Sequence, residues 1–488
     1  MRFKIILRVL GLILVVVSCF MLWPLAWAVL DRSHDVGGIF TSMIIGIALG
    51  AVLLLCGGNN ASEDMRPKEA LVTVGLSWLV VSAIGALPFW LSGSTPTFTD
   101  AFFESVSGFT TTGASILTNI EANPRGILFW RSLTHWLGGM GIIVLGLAVL
   151  PFLGVGGRQL FYAEVPGPVP EKLTPRIHHT ALLLWGVYVF LTFLETLFLY
   201  LGGLSLFDAL THTFGTVATG GFSPLNGSVG QYNSVYVEVV VTIFMFIAGA
   251  NFALHYRLLK GDITSWWHDE EFRFYLYVIL GSIATISFVL LKDHVYSSTA
   301  EALRYVSFQV VSIMTTTGFV TTDFEQWPAY SQALLLILMA IGGCAGSTGG
   351  GMKVVRLLVL LKQVGIELKS LAHPRAHYSM RFNEKIVEKS HTISISVFFS
   401  LYIIIFVISF LLISSMGVDL VTSISSVAAT LGNVGPGLAN VGPTDNYASF
   451  SKMAKWILSF CMLFGRLELY PMIALFFYPI HGRDNPAQ

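Results

Sequence analysis

The chain has 488 residues, with 28 Lys and Arg balanced by 28 Asp and Glu. Apolar residues make up 54 % and charged residues only 11 %, too few charges to cover a soluble protein of this size. The sequence therefore predicts an all-α polytopic membrane protein, and zero net charge gives no reason to expect a nucleic-acid partner.

The first apolar run, Ile5 to Leu30, is longer than the core of a signal peptide. No small-residue cleavage site follows it, so it predicts a retained helix. A span needs roughly 20 apolar residues. On that measure ten are expected, over 5–30, 37–57, 69–92, 127–153, 178–203, 233–256, 273–291, 330–362, 391–415 and 454–479. Cys19, Cys56, Cys344 and Cys461 lie far apart, and their spacing implies neither a metal site nor a disulfide framework.

Between the third and fourth, fifth and sixth, seventh and eighth, and ninth and tenth spans lie shorter segments, such as Asp100–Phe109 and Asp208–Val217. They are too short to cross a bilayer and predict re-entrant half-helices. Each runs into a similar motif. The first is Thr110-Thr111-Thr112-Gly113 and the second Ala218-Thr219-Gly220-Gly221-Phe222. The third is Thr315-Thr316-Thr317-Gly318-Phe319 and the last Gly432-Asn433-Val434-Gly435. Their final glycines are 108, 97 and 117 residues apart. Non-helical backbone at membrane depth is tolerated only inside protein or against water. Four such segments predict four loops round one axis, with backbone carbonyls replacing an ion's hydration shell.

The expected architecture is an N-terminal transmembrane hairpin (1–62) and four pore repeats: 63–176, 177–262, 263–380 and 381–488. With both termini on the cytoplasmic side, internal segments hold 20 of the 28 Lys and Arg and external segments seven. That agrees with the positive-inside rule and brings all four loops in from outside. The loops carry no acid among their core residues. A ring of carbonyls without carboxylates suits a monovalent cation, and the negative ends of half-helix dipoles favour any cation there.

Two further features lie below the loops. Gly342-Gly343-Cys344-Ala345-Gly346-Ser347-Thr348-Gly349-Gly350-Gly351 contains six glycines in ten residues, which predicts an unwound stretch within a span. Close helix packing through small residues is the alternative. Over 341–352 it is a candidate gate, with Gly346, Ser347, Thr348 and Gly349 near the ion path. Gly141, Gly249 and Gly346 each follow their loop glycine by 28 residues and are expected at one depth. Arg466, the only basic residue within Trp456–Ile480, follows Gly435 by 31, as Gly349 follows Gly318. An intramembrane cation is costly and faces a bundle interior or water. Arg466 is expected to face the glycine-rich loop and help hold the path shut, or else to pair with Glu468 or a loop carbonyl. Glu104 and His212 precede the loops and are expected to brace them. His135 has no second metal ligand at useful spacing, and Gly154-Val155-Gly156-Gly157 follows no strand, so no nucleotide site is expected.

These motifs resemble one known family. His135-Trp136-Leu137-Gly138-Gly139-Met140-Gly141, the glycine run through Met352-Lys353, and Gly432-Asn433-Val434-Gly435-Pro436-Gly437 are similar to the TrkH/TrkG potassium-uptake subunits of bacteria, in the Trk/Ktr/HKT superfamily. The resemblance implies a K⁺-conducting, multi-pass subunit of the cell inner membrane that works without catalysis or a bound cofactor, usually as a homodimer. It implies that Thr111, Thr112, Gly113, Thr219, Gly220, Gly221, Thr316, Thr317, Gly318, Asn433, Val434 and Gly435 offer carbonyls to K⁺, and that the glycine-rich stretch and Arg466 form the gate. It also implies a cytosolic TrkA-type ring with nucleotide-binding domains as partner. The basic segment Lys353–Lys389 is a candidate docking face for that ring. Gly220, where the first and third loops have Thr, is a departure expected to alter K⁺/Na⁺ discrimination.

Overall fold

The computed structural model describes residues 2–58, 65–139, 177–376 and 378–477. Among the described residues the regular structure is helical apart from one two-residue hairpin, Arg381–Phe382 against Lys385–Ile386. Six helices among the described residues are long and apolar enough to cross a membrane: Phe3–Leu30, Val36–Gly57, Pro67–Leu91, Thr180–Leu201, Glu270–Lys292 and Lys389–Ser414. In lipid a helix satisfies all its own backbone polar groups, which is why apolar runs of this length take that form.

The N-terminal pair is α1 (Phe3–Phe20), continued by α2 (Leu22–Leu30), and α3 (Val36–Gly57). Small residues set their approach. A Cβ on Gly50 would lie 2.9 Å from the Gly11 carbonyl oxygen, and one on Gly46 would collide with the Ser18 hydroxyl. Such contacts supply packing where the solvent is as apolar as the side chains.

The chain continues through α4 (Pro67–Gly85), α5 (Leu87–Leu91), α6 (Phe98–Phe109) and α7 (Arg125–Gly139). The remainder of the expected span 127–153, with Met140, Gly141 and Gly154–Gly157, lies outside the described residues. Then follow α8 (Ile177–Leu201), α9 (Leu206–Val217), α10 (Val235–Ala248), α11 (Phe252–Leu259), α12 (Ser265–His268), α13 (Glu270–Lys292), α14 (Thr299–Met314) and α15 (Ala329–Ile341). The last are α16 (Val354–Ala372), α17 (Lys389–Ser414), α18 (Leu420–Leu431), α19 (Lys452–Arg466) and α20 (Tyr470–Phe477).

Three expected spans are not continuous. The run 330–362 parts into α15 and α16 around the glycine-rich stretch, as its composition predicts. The run 233–256 is bent by 101° between α10 and α11, a break periodicity does not reveal. Asn251 starts the second piece by accepting from the Ala253 N–H at 2.9 Å, an N-cap that makes a fresh helix start favourable. The run 454–479 breaks after Arg466, where Glu468 and Leu469 have φ of 55° and 68°, left-handed values that end a helix.

Short helices α6, α9, α14 and α18 share one N-terminal device. Thr97, Ser205, Ser298 and Asp419 each accept a backbone N–H from three residues on, from Asp100, Asp208, Glu301 and Thr422. Three of these helices have 12 residues and α14 has 16, about one extra turn.

Candidate functional site

Each short helix ends in the same backbone turn. Thr112, Gly220, Thr317 and Val434 donate their N–H groups to Ser107, Gly215, Ser312 and Ala429, at 2.9, 2.7, 2.8 and 2.8 Å. This six-to-one bond closes a Schellman-type cap whose left-handed position is normally glycine. Here Thr111, Thr219, Thr316 and Asn433 occupy it, with φ of 52°, 55°, 62° and 55°. Two residues later Gly113, Gly221, Gly318 and Gly435 are left-handed again, at 81°, 80°, 78° and 96°. The backbone is thus left-handed at the first and third positions of each triplet, with the second outside that region. Gly432 is right-handed, with φ of −78°, so Gly435 holds the fourth loop's equivalent place.

The loops close on one another in a ring. A Cβ on Gly113 would collide with the Gly220 carbonyl oxygen, on Gly221 with that of Thr317, and on Gly318 with that of Val434. A Cβ on Gly435 would lie 2.6 Å from the Thr112 carbonyl oxygen. First meets second, second third, third fourth, and fourth first. All twelve triplet residues are brought together in this ring, and glycine is required because a side chain would fill the space between loops.

The surroundings hold the ring from behind. Glu104 Oε2 accepts from Ile116 N–H and Oε1 from Ser115 Oγ, both at 2.9 Å, while Arg131 Nε donates to Oε1 at 2.6 Å. Arg131 also donates to the Ser223 carbonyl at 2.9 Å and lies 3.6 Å over the Phe222 ring, linking the first loop to the second. His212, at the position matching Glu104, bonds Ser223 Oγ through Nε2 at 3.1 Å. Both residues brace post-loop segments. Tyr447 donates to the Ser115 carbonyl through its N–H and to the Gly435 carbonyl through its hydroxyl, each at 2.8 Å, tying the fourth loop to the first.

Gly220 has a packing reason. A Cβ there would collide with the His135 ring. That ring stacks on Phe222 with centroids 4.1 Å apart, and its Nδ1 donates to the Gly108 carbonyl at 2.7 Å. The imidazole occupies the space a Thr side chain would need. Among the described residues no group of three or more His, Cys, Asp or Glu is placed to hold a metal ion.

The stretch between α15 and α16 folds into a compact loop against the ring. Gly342, Gly346, Gly351 and Lys353 have positive φ, from 70° to 80°. Met352 N–H donates to the Ala340 carbonyl at 3.1 Å and Val354 N–H to that of Gly343 at 3.0 Å, so the loop closes on itself. It touches α9, α10 and the third and fourth loops. Gly350 N–H donates to Thr316 Oγ1 at 2.7 Å. Thr348 Oγ1 lies 3.0 and 3.2 Å from the carbonyls of Val217 and Ala248. A Cβ on Gly350 would lie 2.6 Å from Asn433 Cβ.

Arg466 completes the contact. Its Nη1 donates to the Thr348 carbonyl at 2.6 Å and to Thr111 Oγ1 at 3.0 Å, and its Nη2 to the carbonyls of Gly138 and Gly139 at 2.6 and 2.7 Å. Of the expected Arg466 partners, loop carbonyls are the ones it meets; Glu468 pairs instead with Arg356. Gly346 meets the start of α11, accepting from Phe252 N–H at 3.0 Å, and Ser347 Oγ donates to the Cys344 carbonyl at 2.6 Å. Gly249 abuts the same loop, accepting from Cys344 N–H at 2.9 Å.

One residue here carries no obvious sequence signal. Glu271 Oε1 accepts from both Ala345 N–H, at 2.7 Å, and Val355 N–H, at 3.0 Å, stapling the entry of the loop to its exit. Asn433 Nδ2 donates to Thr112 Oγ1 and to the Met462 carbonyl, each at 2.9 Å. The basic segment is corrected at its start. Lys353 is 4 % exposed and donates to the Gly349 carbonyl, and Arg356 is 9 % exposed and paired with Glu468. Both are engaged by carbonyls of the glycine-rich loop, Lys353 by Gly349 and Arg356 by Met352, so neither is an exposed basic residue.

Fold and site together define an almost wholly helical, polytopic membrane protein in which four loops meet in one ring and a glycine-rich loop packs against it. The TrkH family model, described as a cation transport protein, matches residues 37–483. The Trk system potassium uptake protein TrkH of Salmonella typhimurium is 44 % identical over 98 % of this chain and 99 % of its own. TrkG of Escherichia coli is 34 % identical over 97 % of each. The crystal structure of the potassium transporter TrkH from Vibrio parahaemolyticus aligns with a TM-score of 0.88 at 37 % identity, covering 99 % of this chain and 100 % of that one. The chain belongs to the TrkH family of cation transport proteins, and is not an enzyme.

Proposed function

We propose that this chain is the K⁺-conducting subunit of a Trk-type uptake system in the bacterial inner membrane. The reading rests on the closed ring of four carbonyl-bearing loops, each with left-handed backbone at its first and third positions. Thr111-Thr112-Gly113, Thr219-Gly220-Gly221, Thr316-Thr317-Gly318 and Asn433-Val434-Gly435 replace the water shell of a permeating K⁺ with carbonyl oxygen. The relatives' names as potassium uptake proteins support the choice of ion.

The glycine-rich loop, with Gly346, Ser347, Thr348 and Gly349, is the gate, and Arg466 is its lock. The guanidinium puts a positive charge next to Thr111 and holds the Thr348 carbonyl, so in this state a cation meets repulsion and a closed backbone. Opening breaks those bonds. The unit works as a homodimer with both termini cytoplasmic, organised as the hairpin 1–62 and repeats 63–176, 177–262, 263–380 and 381–488. A TrkA-type nucleotide-binding ring docks on the cytosolic side, where the exposed part of α16 and the residues up to Lys389 offer the contact.

The test is ion flux from the purified chain in liposomes. Rb⁺ or K⁺ uptake well above Na⁺ uptake is expected; equal permeation of the two would sink the selectivity reading, and no flux in any gating variant would sink the pathway.

A further inference from the structure

Glu195 sits on α8, beside the second loop's short helix. It is fully buried, and among the described residues both carboxylate oxygens are without a hydrogen-bond partner or a salt bridge. An ionised carboxylate in apolar surroundings with neither counter-charge nor donor is too costly to persist, and such a group neutralises.

The chemistry facing it comes from α9. Thr216 lies against the Glu195 carboxyl, but its hydroxyl donates to the His212 carbonyl at 2.9 Å. One turn earlier on α9, Thr213 Oγ1 is also buried without a partner. The Thr216 carbonyl accepts from Thr219 N–H, the first residue of the second loop, at 2.9 Å.

Other ionisable groups on elements packed against α8 are committed elsewhere. On α9, His212 bonds the Asp208 carbonyl and Ser223, and the Asp208 carboxylate bonds the Ser205 hydroxyl. On α10, Glu238 is held by Arg304, and Tyr236 donates to the Phe198 carbonyl. On α11, His255 bonds the Ile247 carbonyl, while Tyr256 and Arg257 lie further along and are not buried. On α7, Arg131 pairs with Glu104 and His135 bonds Gly108. On α8 itself, Tyr188 donates to the Trp136 carbonyl at 2.9 Å.

We propose that Glu195 is a proton-binding site behind the second filter loop, and that α9 reads its occupancy through the Thr216 hydroxyl. With the proton on, Thr216 serves the His212 carbonyl, as observed. With the proton off, the carboxylate is the stronger acceptor, and the hydroxyl rotates to it. The same step puts a negative charge about one turn from Thr219, where it attracts a cation in the filter. The inference rests on the reading of the loops as a cation filter.

Two measurements on the full-length chain in liposomes test it. Infrared spectra should show the carbonyl band of a protonated carboxylic acid at neutral pH, shifting on transfer to D₂O and lost in Glu195→Gln. A spectrum unchanged by that substitution would overturn the proton site. Rb⁺ flux and Rb⁺/Na⁺ preference should change several-fold between acid and alkaline pH in the wild type. Glu195→Gln should lock the acid behaviour at all pH, and Thr216→Val should keep the band while blunting the pH response. Superimposable pH profiles for wild type and both variants would overturn the coupling. Should Glu195→Gln fail to fold, the D₂O shift in wild type and the Thr216→Val profile decide the two parts. Complete absence of cation flux in the wild type would instead defeat the filter reading, and the band would still decide whether Glu195 holds a proton.

Discussion

The Arg466 guanidinium donates to the Thr348 carbonyl at 2.6 Å, joining the end of α19 to the glycine-rich loop between α15 and α16. The same nitrogen reaches Thr111 Oγ1 at 3.0 Å, so one side chain holds the glycine-rich loop and the first Thr/Gly loop together. A hydrogen bond to a charged group contributes about 1.5–3 kcal/mol, or roughly 10- to 100-fold in a two-state equilibrium. Arg466→Ala is expected to raise basal Rb⁺ flux into liposomes by about that factor. Unchanged flux would remove Arg466 from the gate.

Glu271 makes a prediction with an internal control. Its Oε1 ties Ala345 N–H to Val355 N–H across the loop. Glu271→Ala leaves both donors unsatisfied in a buried place, at about 1–3 kcal/mol each. It should loosen the loop and raise flux. Glu271→Gln keeps a carbonyl oxygen as acceptor and should stay near wild type. If Gln and Ala behave alike, the charge and not the staple matters.

The ring predicts a steric effect confined to the loops. Gly113 has φ of 81°, and a Cβ on it would strike the Gly220 carbonyl oxygen. Gly113→Ala should therefore abolish K⁺ selectivity or all flux. Gly186, on α8, has open space where a Cβ would stand, and Gly186→Ala should be silent. The K⁺/Na⁺ flux ratio of each variant decides.

Glu104 and Arg131 form an ion pair at 2.6 Å with side chains 0 % and 3 % exposed. Removing one partner strands a buried charge, at about 3–5 kcal/mol. Arg131→Met alone should lower the thermal midpoint of the detergent-solubilised protein strongly. Combining it with Glu104→Gln should recover part of the loss, because no lone charge then remains. A double variant no more stable than the single one would contradict this account.

The sequence by itself determined the solvent, the helical class and the four loops. These are local properties: apolar runs long enough for a bilayer, and short segments each ending in a Thr/Gly triplet. Arg466 and the glycine run were legible for the same reason, since a charge or six glycines inside a span conflicts with its surroundings. What only the tertiary structure decided is who meets whom. Spacing does not show that Glu468 goes to Arg356 and not to Arg466, because that pairing depends on where α16 and the break after α19 come together. Nor does composition show that Lys353 and Arg356 are buried, that α10 and α11 part at 101°, or that His135 fills the place of a side chain at Gly220. Hydrophobic patterning is read along one chain. Hydrogen bonds and close packing between loops a hundred residues apart exist only once the ring has closed.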